Sequence, residues 1–475
     1  MARLFCILLT VLFLWGCGVR QPDFPEILPQ GLPDAYGAEG GLSALPAEKW
    51  WEGFGSLELN ILVEEALGSN LDIREALARL DAAAAGFEAG KSGFWPELNF
   101  NAEAGQQRSR NSESGQVRTT ERYNTFFAAS YEVDIWGRVA AASAAEGERF
   151  RASRGDLESA AMTVAASVAD TWSLYVHTLY LLDLAQGQLA EEKTLLEIEK
   201  ARFSRGMAGI LDILRQKEVV LGVGSRIPDL KGELRLQEHR MALLTGRAAS
   251  EFSMGGAEKR RDIFFPALPD PGLPLELIEK RPDIRAAQAR LTAAGWDMEA
   301  TRALRLPGLT LSGRGGLTAA GLALLGEGWL LDAAAGLAIP VFDGGRRRAN
   351  VARSEAVVRE RVAAYERSVL TAVREVEDAL VREARQEALL GETRLRLDAA
   401  RMTLEEALRR YRLGGDNFDL VLTARSRIRD LEERLVNQQV VRMQARIALH
   451  RALGGQWWEE GARAGRPDGS AGTLP

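Results

Sequence analysis

Two long stretches of the chain carry apolar residues at helical spacing, with charged residues between them. Such a stripe predicts a helix that buries one face. In the first stretch, from 137 to 205, there is no proline, so at 1.5 Å per residue one helix could span roughly 100 Å. The stripes run through Leu157, Ala161, Val164, Val168, Trp172, Tyr175, Leu179 and Leu182, and through Val369, Val373, Val376, Leu380, Leu397, Ala400, Leu404, Leu408 and Tyr411.

Each long helix is predicted to end at a similar turn. The turn follows Arg202 and Phe203 in the first stretch and Arg410 and Tyr411 in the second, and a glycine closes each one, Gly206 or Gly414. Glycine after the last periodic residues is typical of a helix C-terminus. A returning helix then runs to Gly246 or Gly454. The pattern therefore predicts two long antiparallel helical hairpins, at 137–246 and 345–454.

Before each long helix the pattern changes from helical period to strict alternation. Residues 96–105 and 123–133 alternate apolar and polar side chains, and the polar stretch 106–122 between them reads as an exposed loop. Weaker alternation recurs on both sides of a predicted loop at 318–328. We expect β-hairpins at 96–135 and 307–341, with the alternation typical of membrane barrels.

Four strands with lipid-compatible faces cannot close a barrel, because an open edge in hydrocarbon leaves backbone groups unpaired. We therefore expect several chains to share one barrel. Eight strands from a dimer or twelve from a trimer would both suffice, and the pattern does not choose between them.

The chain contains an internal duplication. Residues 71–80 match residues 282–291, and Pro96 and Pro307 share their offset, 307 − 96 = 211, while Gly206 and Gly414 lie 414 − 206 = 208 apart. We infer a first repeat at 57–246 and a second at 273–455. A linker at 247–272 joins them, and a Gly- and Pro-rich tail at 456–475 is expected to be disordered.

The N-terminus predicts export. Residues 1–16 form a signal peptide with a basic start and an apolar run, and they end in Gly16 before Cys17, which looks like a bacterial lipobox. The expected mature chain carries a covalent lipid on Cys17, with an extended leader at 17–56. The alternative is an ordinary signal peptide that contains a cysteine. Gly18, rather than an aspartate, favours sorting to the outer membrane.

Composition excludes several chemistries. Cys6 lies in the segment expected to be removed, and the three histidines, His177, His239 and His450, have no partner at ligand spacing. The net charge of −6 shows no bias toward nucleic acid, and no phosphate-binding loop precedes a helix. We therefore expect no enzyme, no metal site and no cofactor.

In order along the chain, several short motifs resemble one family, the TolC-type outer-membrane efflux proteins, and in particular the lipoprotein branch that serves multidrug pumps. The motifs are Trp50-Trp51-x-x-Phe54, Asn70-Leu71-Asp72, Asp134-x-Trp136-Gly137-Arg138, Arg281-Pro282-Asp283-Ile284, Pro340-x-Phe342-Asp343-Gly344-Gly345-Arg346 and Arg410-Tyr411-Arg412-x-Gly414.

The resemblance implies an α+β, predominantly α fold. Three chains would form a twelve-stranded barrel in the outer membrane of a Gram-negative bacterium and a twelve-helix tunnel across the periplasm. It also implies a homotrimer that docks a periplasmic adaptor and an inner-membrane pump of the resistance-nodulation-division type. Function would be passive export of drugs or other small molecules.

By the same resemblance, the helix tips hold the functional residues. Asp212, Asp416 and Asp419 are predicted to line the periplasmic aperture, where a ring of acids would favour cations. The alternative is that these acids only stabilise helix N-termini. Thr423 stands where many members carry a second aspartate. The tip residues predicted to contact the adaptor are Phe203, Arg205, Gly206, Tyr411, Arg412 and Gly414.

Two other functions stay open on the sequence. A type I protein-secretion duct would use the same fold, and a lipid-anchored helical scaffold or adaptor of the periplasm would pack the alternating segments in a soluble sheet. Arg346, Arg347 and Arg348 are expected to face solvent or headgroups at the membrane boundary.

Overall fold

A computed structural model describes residues 36, 49–110, 112, 115–254, 265, 268–269, 272, 274–321, 324, 327–413 and 418–454. The predicted signal peptide, Cys17, most of the leader, most of the linker and the predicted tail lie outside the described residues. The chain divides into two compact units. The sheet unit contains Ala78–Gly155 and Arg285–Arg367, and the helical unit contains the described parts of Pro29–Leu77, Asp156–Ile284 and Ser368–Pro475.

Helices dominate the described chain. The two long helices, α3 and α7, have 67 residues each, or about 100 Å at the rise of an α-helix. The helices are α1 (Leu57–Ser69), α2 (Leu71–Ser92), α3 (Arg138–Ser204), α4 (Ile210–Leu244), α5 (Glu276–Lys280), α6 (Pro282–Ala303), α7 (Arg346–Arg412) and α8 (Phe418–Leu453). The predicted long helices and their returning partners are confirmed.

The predicted stripes account for where the helices bury their side chains. In the helical unit, Val168 of α3 and Val369 and Val376 of α7 are fully buried, and most other stripe positions are buried as well. Burial of one apolar face is the main source of stability for such helices. Within the described part of the chain, no helix is both long enough and apolar enough to cross a membrane.

The sheet unit holds one antiparallel sheet in the order β1-β2-β3-β4. Its strands are β1 (Glu97–Arg110), β2 (Val117–Val133), β3 (Gly308–Ala319) and β4 (Trp329–Ala338). The duplication is visible in these bounds: α2 and α6, and the starts of β1 and β3, are related by the offset of 211 residues read from Pro96 and Pro307.

Strand register places the predicted apolar positions on one face of the sheet. Phe100 lies opposite Phe127, which lies opposite Gly315, which lies opposite Leu331. The same face carries Leu98, Tyr131, Leu309, Leu311, Trp329 and Leu337, and many of these side chains are exposed in the single chain. This face has the composition of a lipid-facing barrel wall.

The expectation of a loop at 106–122 was wrong. The two strands continue through this stretch, with Gln106 opposite Glu121 and Arg110 opposite Val117, so that the connection is only 111–116. Polar side chains do not prevent a ladder whose strength comes from backbone pairing, and both faces here can be solvated. Absence of an apolar run therefore indicated exposure and not loss of the strands.

Candidate functional site

The turn between α3 and α4 is closed by a glycine in the left-handed region. Gly206 has φ +72°, its N–H donates to the carbonyl of Phe203 at 2.9 Å, and the N–H of Met207 donates to that of Arg202 at 2.9 Å. These two bonds form a Schellman motif, which satisfies carbonyls at the end of α3. Phe203 and Arg205 are exposed at this turn, and their role as adaptor contacts stays a prediction.

Asp212 lies in the first turn of α4 and caps it. The backbone N–H of Gly209 donates to Asp212 Oδ2 at 3.0 Å, which satisfies a donor that the helix leaves free. This contact supports the helix-terminal role that was weighed against an aperture role. The aperture role of Asp212 stays a prediction.

The second tip lies between α7 and α8, and Gly414 and Asp416 lie outside the described residues. Tyr411 Oη donates to a carboxylate oxygen of Glu199 on α3 at 3.0 Å. The Arg202 guanidinium lies 4.2 Å from the centre of the Tyr411 ring, and the Phe418 ring lies 5.2 Å from it. Tyr411 thus links the two hairpins, while Arg412 beside it is exposed.

Burial and charge determine the ionisation states of Tyr411 and Glu199. Burial, reinforced by the Glu199 carboxylate, raises the pKa of Tyr411 to about 12, so the phenol keeps its proton as a donor. Burial also raises the pKa of Glu199, against the effect of the Tyr411 hydrogen bond. The tip contact is therefore a hydrogen bond from a neutral phenol.

Ion pairs make two further links between the hairpins. At the tip, Arg215 of α4 pairs with Asp419 of α8, and both side chains are about half exposed. Further from the tip, buried Glu192 accepts hydrogen bonds from Arg425 at 3.1 Å and Arg429 at 2.6 Å. The charge at Asp419, one of the predicted aperture acids, is thus already paired within the chain.

An apolar stripe at the first tip was missed by the sequence analysis. Met207, Ile210, Leu211 and Leu214 are each between 53 and 56% exposed. Leu211 and Leu214 are three residues apart and Ile210 and Leu214 four apart, so these three lie along one side of the start of α4, with Met207 in the turn before it. The same spacing rule that located the buried stripes would have found this one, and its position directly after a hairpin turn was the signal for exposure.

At the other end of the first hairpin, a polar joint ties the end of α4 to α2. Asn70 Nδ2 donates to the carbonyl of Leu244 at 2.8 Å, and Asn70 Oδ1 accepts from the N–H of Asp72 at 2.9 Å. A Cβ added at Gly246 would lie 2.6 Å from the carbonyl oxygen of Ser69, so only glycine fits there. The Asn70 joint therefore caps two helix ends with one side chain.

The second repeat makes the same joint with a different side chain. Arg281, at the position equivalent to Asn70, donates to the carbonyl of Ala452 at 2.9 Å. Its guanidinium also forms two hydrogen bonds with Asp283, at 3.0 and 2.8 Å, and one with Glu375 at 2.8 Å. The Arg281 joint is thus a charge network around a buried guanidinium, with the Asp283 and Glu375 side chains 36% and 31% exposed. It accounts for the Arg281-Pro282-Asp283 motif.

An aromatic cluster lies beside the Arg281 joint. The rings of Trp50 and His450 stack at 5.3 Å, and Phe54 packs edge-on against His450 at 6.4 Å. Burial, together with nearby Arg446, lowers the pKa of His450 to about 4. The cluster joins the end of the leader to the last turn of α8.

The sheet face opposite the lipid-compatible one is mainly polar. Arg314 pairs with Asp332 at 3.0 Å across β3 and β4, and Thr318 Oγ1 lies 2.9 Å from Asn124 Oδ1. A barrel closed from such strands would enclose a hydrated lumen. Within the described residues, no cluster of three or more His, Cys, Asp or Glu side chains is arranged to hold a metal ion.

Comparison with known proteins identifies the family. The model of the outer membrane efflux protein family matches residues 62–247 and 273–455, which include most of the chain. The chain belongs to this family. The expected resemblance is confirmed, and with it the fold class of a helical tunnel joined to a β-barrel.

Curated relatives align over nearly the whole chain of this efflux protein. The pyoverdine export outer membrane protein OpmQ of Pseudomonas putida is 31% identical over 471 residues, covering 96% of this chain and 98% of the relative. The outer membrane protein OprJ of Pseudomonas aeruginosa is 30% identical over 429 residues and covers 88% of each chain.

Solved structures agree in fold. The outer-membrane channel OprN superposes with a TM-score of 0.84 at 26% identity, covering 93% of this chain and all of that one. The MtrE channel of Neisseria gonorrhoeae in its open state gives 0.82 at 22% identity and covers 93% and 99%, which shows the shared fold.

Membership settles several expectations. The chain is an outer-membrane channel component of an efflux system, a passive duct and not an enzyme, from a family that carries no cofactor. Channels of this family form trimers and work with an adaptor and an inner-membrane pump. These properties exclude the alternative of a lipid-anchored periplasmic scaffold.

Proposed function

We propose that this chain forms, as a homotrimer, the exit duct of a tripartite pump for small molecules. The observation that carries the proposal is the four-stranded sheet. It has one lipid-compatible face and one polar face, and β1 and β4 have no strand partner on their outer edges within the described chain. Three copies would supply the twelve strands that a closed barrel with a hydrated lumen requires.

Cargo of the small-molecule class is supported by the relatives. Several relatives are named for efflux of small molecules: pyoverdine, antibiotics and toluene. A pump of the resistance-nodulation-division type suits such cargo. The alternative of a protein-secretion duct has no comparable support among these names.

Adaptor docking is supported by the apolar stripe at the first tip. Four exposed apolar side chains at the end of a helical hairpin suit packing against a partner's helices. The contact would include Phe203, Arg205 and Gly206, with Tyr411, Arg412 and Gly414 at the second tip.

Changing Leu211 and Leu214 to Asp should abolish pull-down of the cognate adaptor. Leu236→Asp, at an exposed leucine of the same helix, is the matched control and should leave capture intact.

The aperture is the proposed gate. Asp416 and Asp419, with Asp212, would be brought around the threefold axis, and the Arg215–Asp419 and Tyr411–Glu199 contacts would hold the two hairpins of each chain together in the closed state. Opening would exchange these contacts for water or adaptor contacts.

A lipid on Cys17 would tether the leader to the outer membrane. Radiolabelled palmitate should enter the wild-type chain and not the Cys17→Ser variant. Labelling of both would contradict the anchor.

Mass and conductance test the duct itself. Light scattering of the detergent-extracted protein should give three times the mass of one chain, and the same sample should form ion-conducting channels in planar bilayers. A monomer without conductance would overturn the proposal.

A further inference from the structure

One contact inside the chain shows how two neighbouring strands are joined at the end where β2 stops and β3 starts. Val133 lies opposite Leu309 in the ladder. Just beyond the paired region, the indole N–H of Trp136, after β2, donates to the carbonyl of Pro307, before β3, at 2.7 Å. An antiparallel pair necessarily brings the segment after one strand next to the segment before its neighbour.

The outer strands present the same two kinds of segment, exposed in the single chain. Before β1, Phe94 is 43% and Trp95 is 76% exposed. After β4, Val341 and Phe342 are each 92% exposed. Large apolar side chains exposed to this degree next to an open strand edge are typical of an interface that the single chain lacks.

We propose that Val341 and Phe342 of one protomer pack against Phe94 and Trp95 of the next copy of this chain, forming an apolar seam at this end of the barrel. The inference rests on the homotrimer proposed above. Closing the barrel pairs β4 of one copy antiparallel with β1 of another. That pairing brings the segment after β4 to the segment before β1, as β2 and β3 do within the chain.

The duplication relates the two segments at the outer edges to the two segments at the inner junction, where β2 ends and β3 begins. Within the chain, the large ring comes from the segment after the strand, as Trp136, and meets a segment containing Leu306. At the outer edges, Trp95 stands at the position equivalent to Leu306, and Gly344 stands at the position equivalent to Trp136. The outer-edge segments are therefore the counterparts of two segments that already meet within the chain, with the large ring on the segment before the strand instead of the one after it.

Thiol cross-linking of the full-length protein in detergent tests the seam. The double variant Trp95→Cys, Phe342→Cys should give dimer and trimer bands on a non-reducing gel after treatment with a short bismaleimide linker. Each single variant should run as a monomer. The matched control Trp136→Cys, Leu306→Cys places its thiols where β2 ends and β3 begins. It should give no dimer or trimer bands, because it links residues of one chain.

Light scattering of the same samples separates the seam from the trimer. A trimeric mass with no ladder from the double variant would overturn the seam and assign these rings to lipid contact. A ladder from a single variant would also count against it. A monomeric wild-type protein would instead overturn the homotrimer of the proposed function.

Discussion

The roots and the tips of the helical hairpins are both held by polar contacts, but the two regions differ in burial. We use roots for the joints made by Asn70 and Arg281 together with the His450 cluster, and tips for residues 199–215 and 407–421. At the roots, the Arg281 side chain is 6% exposed, whereas at the tips the side chains of Arg215 and Asp419 are 41% and 50% exposed.

This difference in burial has energetic consequences. Hydrogen bonds to charged groups contribute about 1.5 to 3 kcal/mol each, so the loss of the buried Arg281 donor is costly. An exposed ion pair is worth about 0 to 1 kcal/mol, so its partners separate easily. The Arg281 joint therefore stays fixed, while the Arg215–Asp419 pair can change partners at low cost. The Tyr411–Glu199 contact, in which Glu199 is 1% exposed, is the costlier of these two tip contacts to open.

The largest effect is expected at Arg281. Arg281→Ala leaves Asp283 and Glu375 without their common counter-charge and the carbonyl of Ala452 without a donor. We expect the free energy of unfolding to fall by about 2 to 3 kcal/mol, measured by thermal unfolding in detergent followed by circular dichroism. Arg281→Lys keeps the charge but not the paired hydrogen bonds, so its stability should lie between those of wild type and Arg281→Ala. An alanine variant as stable as wild type would show that the roots are no stronger than the tips.

The second effect is a pH dependence at the roots. Because the pKa of His450 is about 4 when folded and near 6.5 when unfolded, the unfolded chain binds more protons between these values. The stabilising effect of the neutral ring is complete above pH 6.5 and is lost as the pH falls toward 4. At pH 5 the loss should be about 2 kcal/mol.

Comparing wild type with His450→Phe isolates that contribution. Burial raises the pKa of Asp170 to about 6, which acts with the opposite sign in both proteins. The stability difference between the two proteins should therefore change between pH 7 and 5 by the His450 contribution alone. Parallel unfolding curves across this range would show that His450 does not titrate as proposed.

A smaller loss is expected at the Asn70 joint. Asn70→Ala removes the cap of α2 and the donor to the Leu244 carbonyl, both hydrogen bonds between uncharged groups. We expect a loss of about 1 to 2 kcal/mol by the same thermal measurement. Asn70→Asp keeps the capping oxygens but loses the amide donor, so it separates the two roles. A loss larger than that of Arg281→Ala would contradict the prediction that the Arg281 joint contributes more stability than the Asn70 joint.

The smallest effect on stability is expected at the tips. Asp419→Ala and Arg215→Ala should each change the free energy of unfolding by less than about 1 kcal/mol. Single-channel conductance in planar bilayers should nevertheless rise, because the contact holding the closed tip is lost. Changing Asp416 and Asp419 together to Ala should in addition weaken cation selectivity. Unchanged conductance and selectivity would remove these acids from the gate.

The spacing of apolar residues was sufficient to predict those helices and strands that have one apolar face and one polar face. Helical spacing located α3 and α7, with ends one or two residues from those expected. Gly206 marked the end of α3 because glycine readily adopts the left-handed conformation that closes the last turn of many helices. Alternation located four strands and assigned their lipid-compatible face. It failed at 106–122, where strands solvated on both sides carry no apolar signal.

The sequence by itself thus determined the duplication, the long helices, the strand pattern and, through resemblance, the family. Only the tertiary structure decided which side chains pair: Glu199 with Tyr411, Arg215 with Asp419, and Asn70 and Arg281 in equivalent joints. Periodicity reports which face of an element is buried, because that depends on neighbours a few residues away. Pairing depends on which residues, often about two hundred apart in sequence, the folded chain brings within reach.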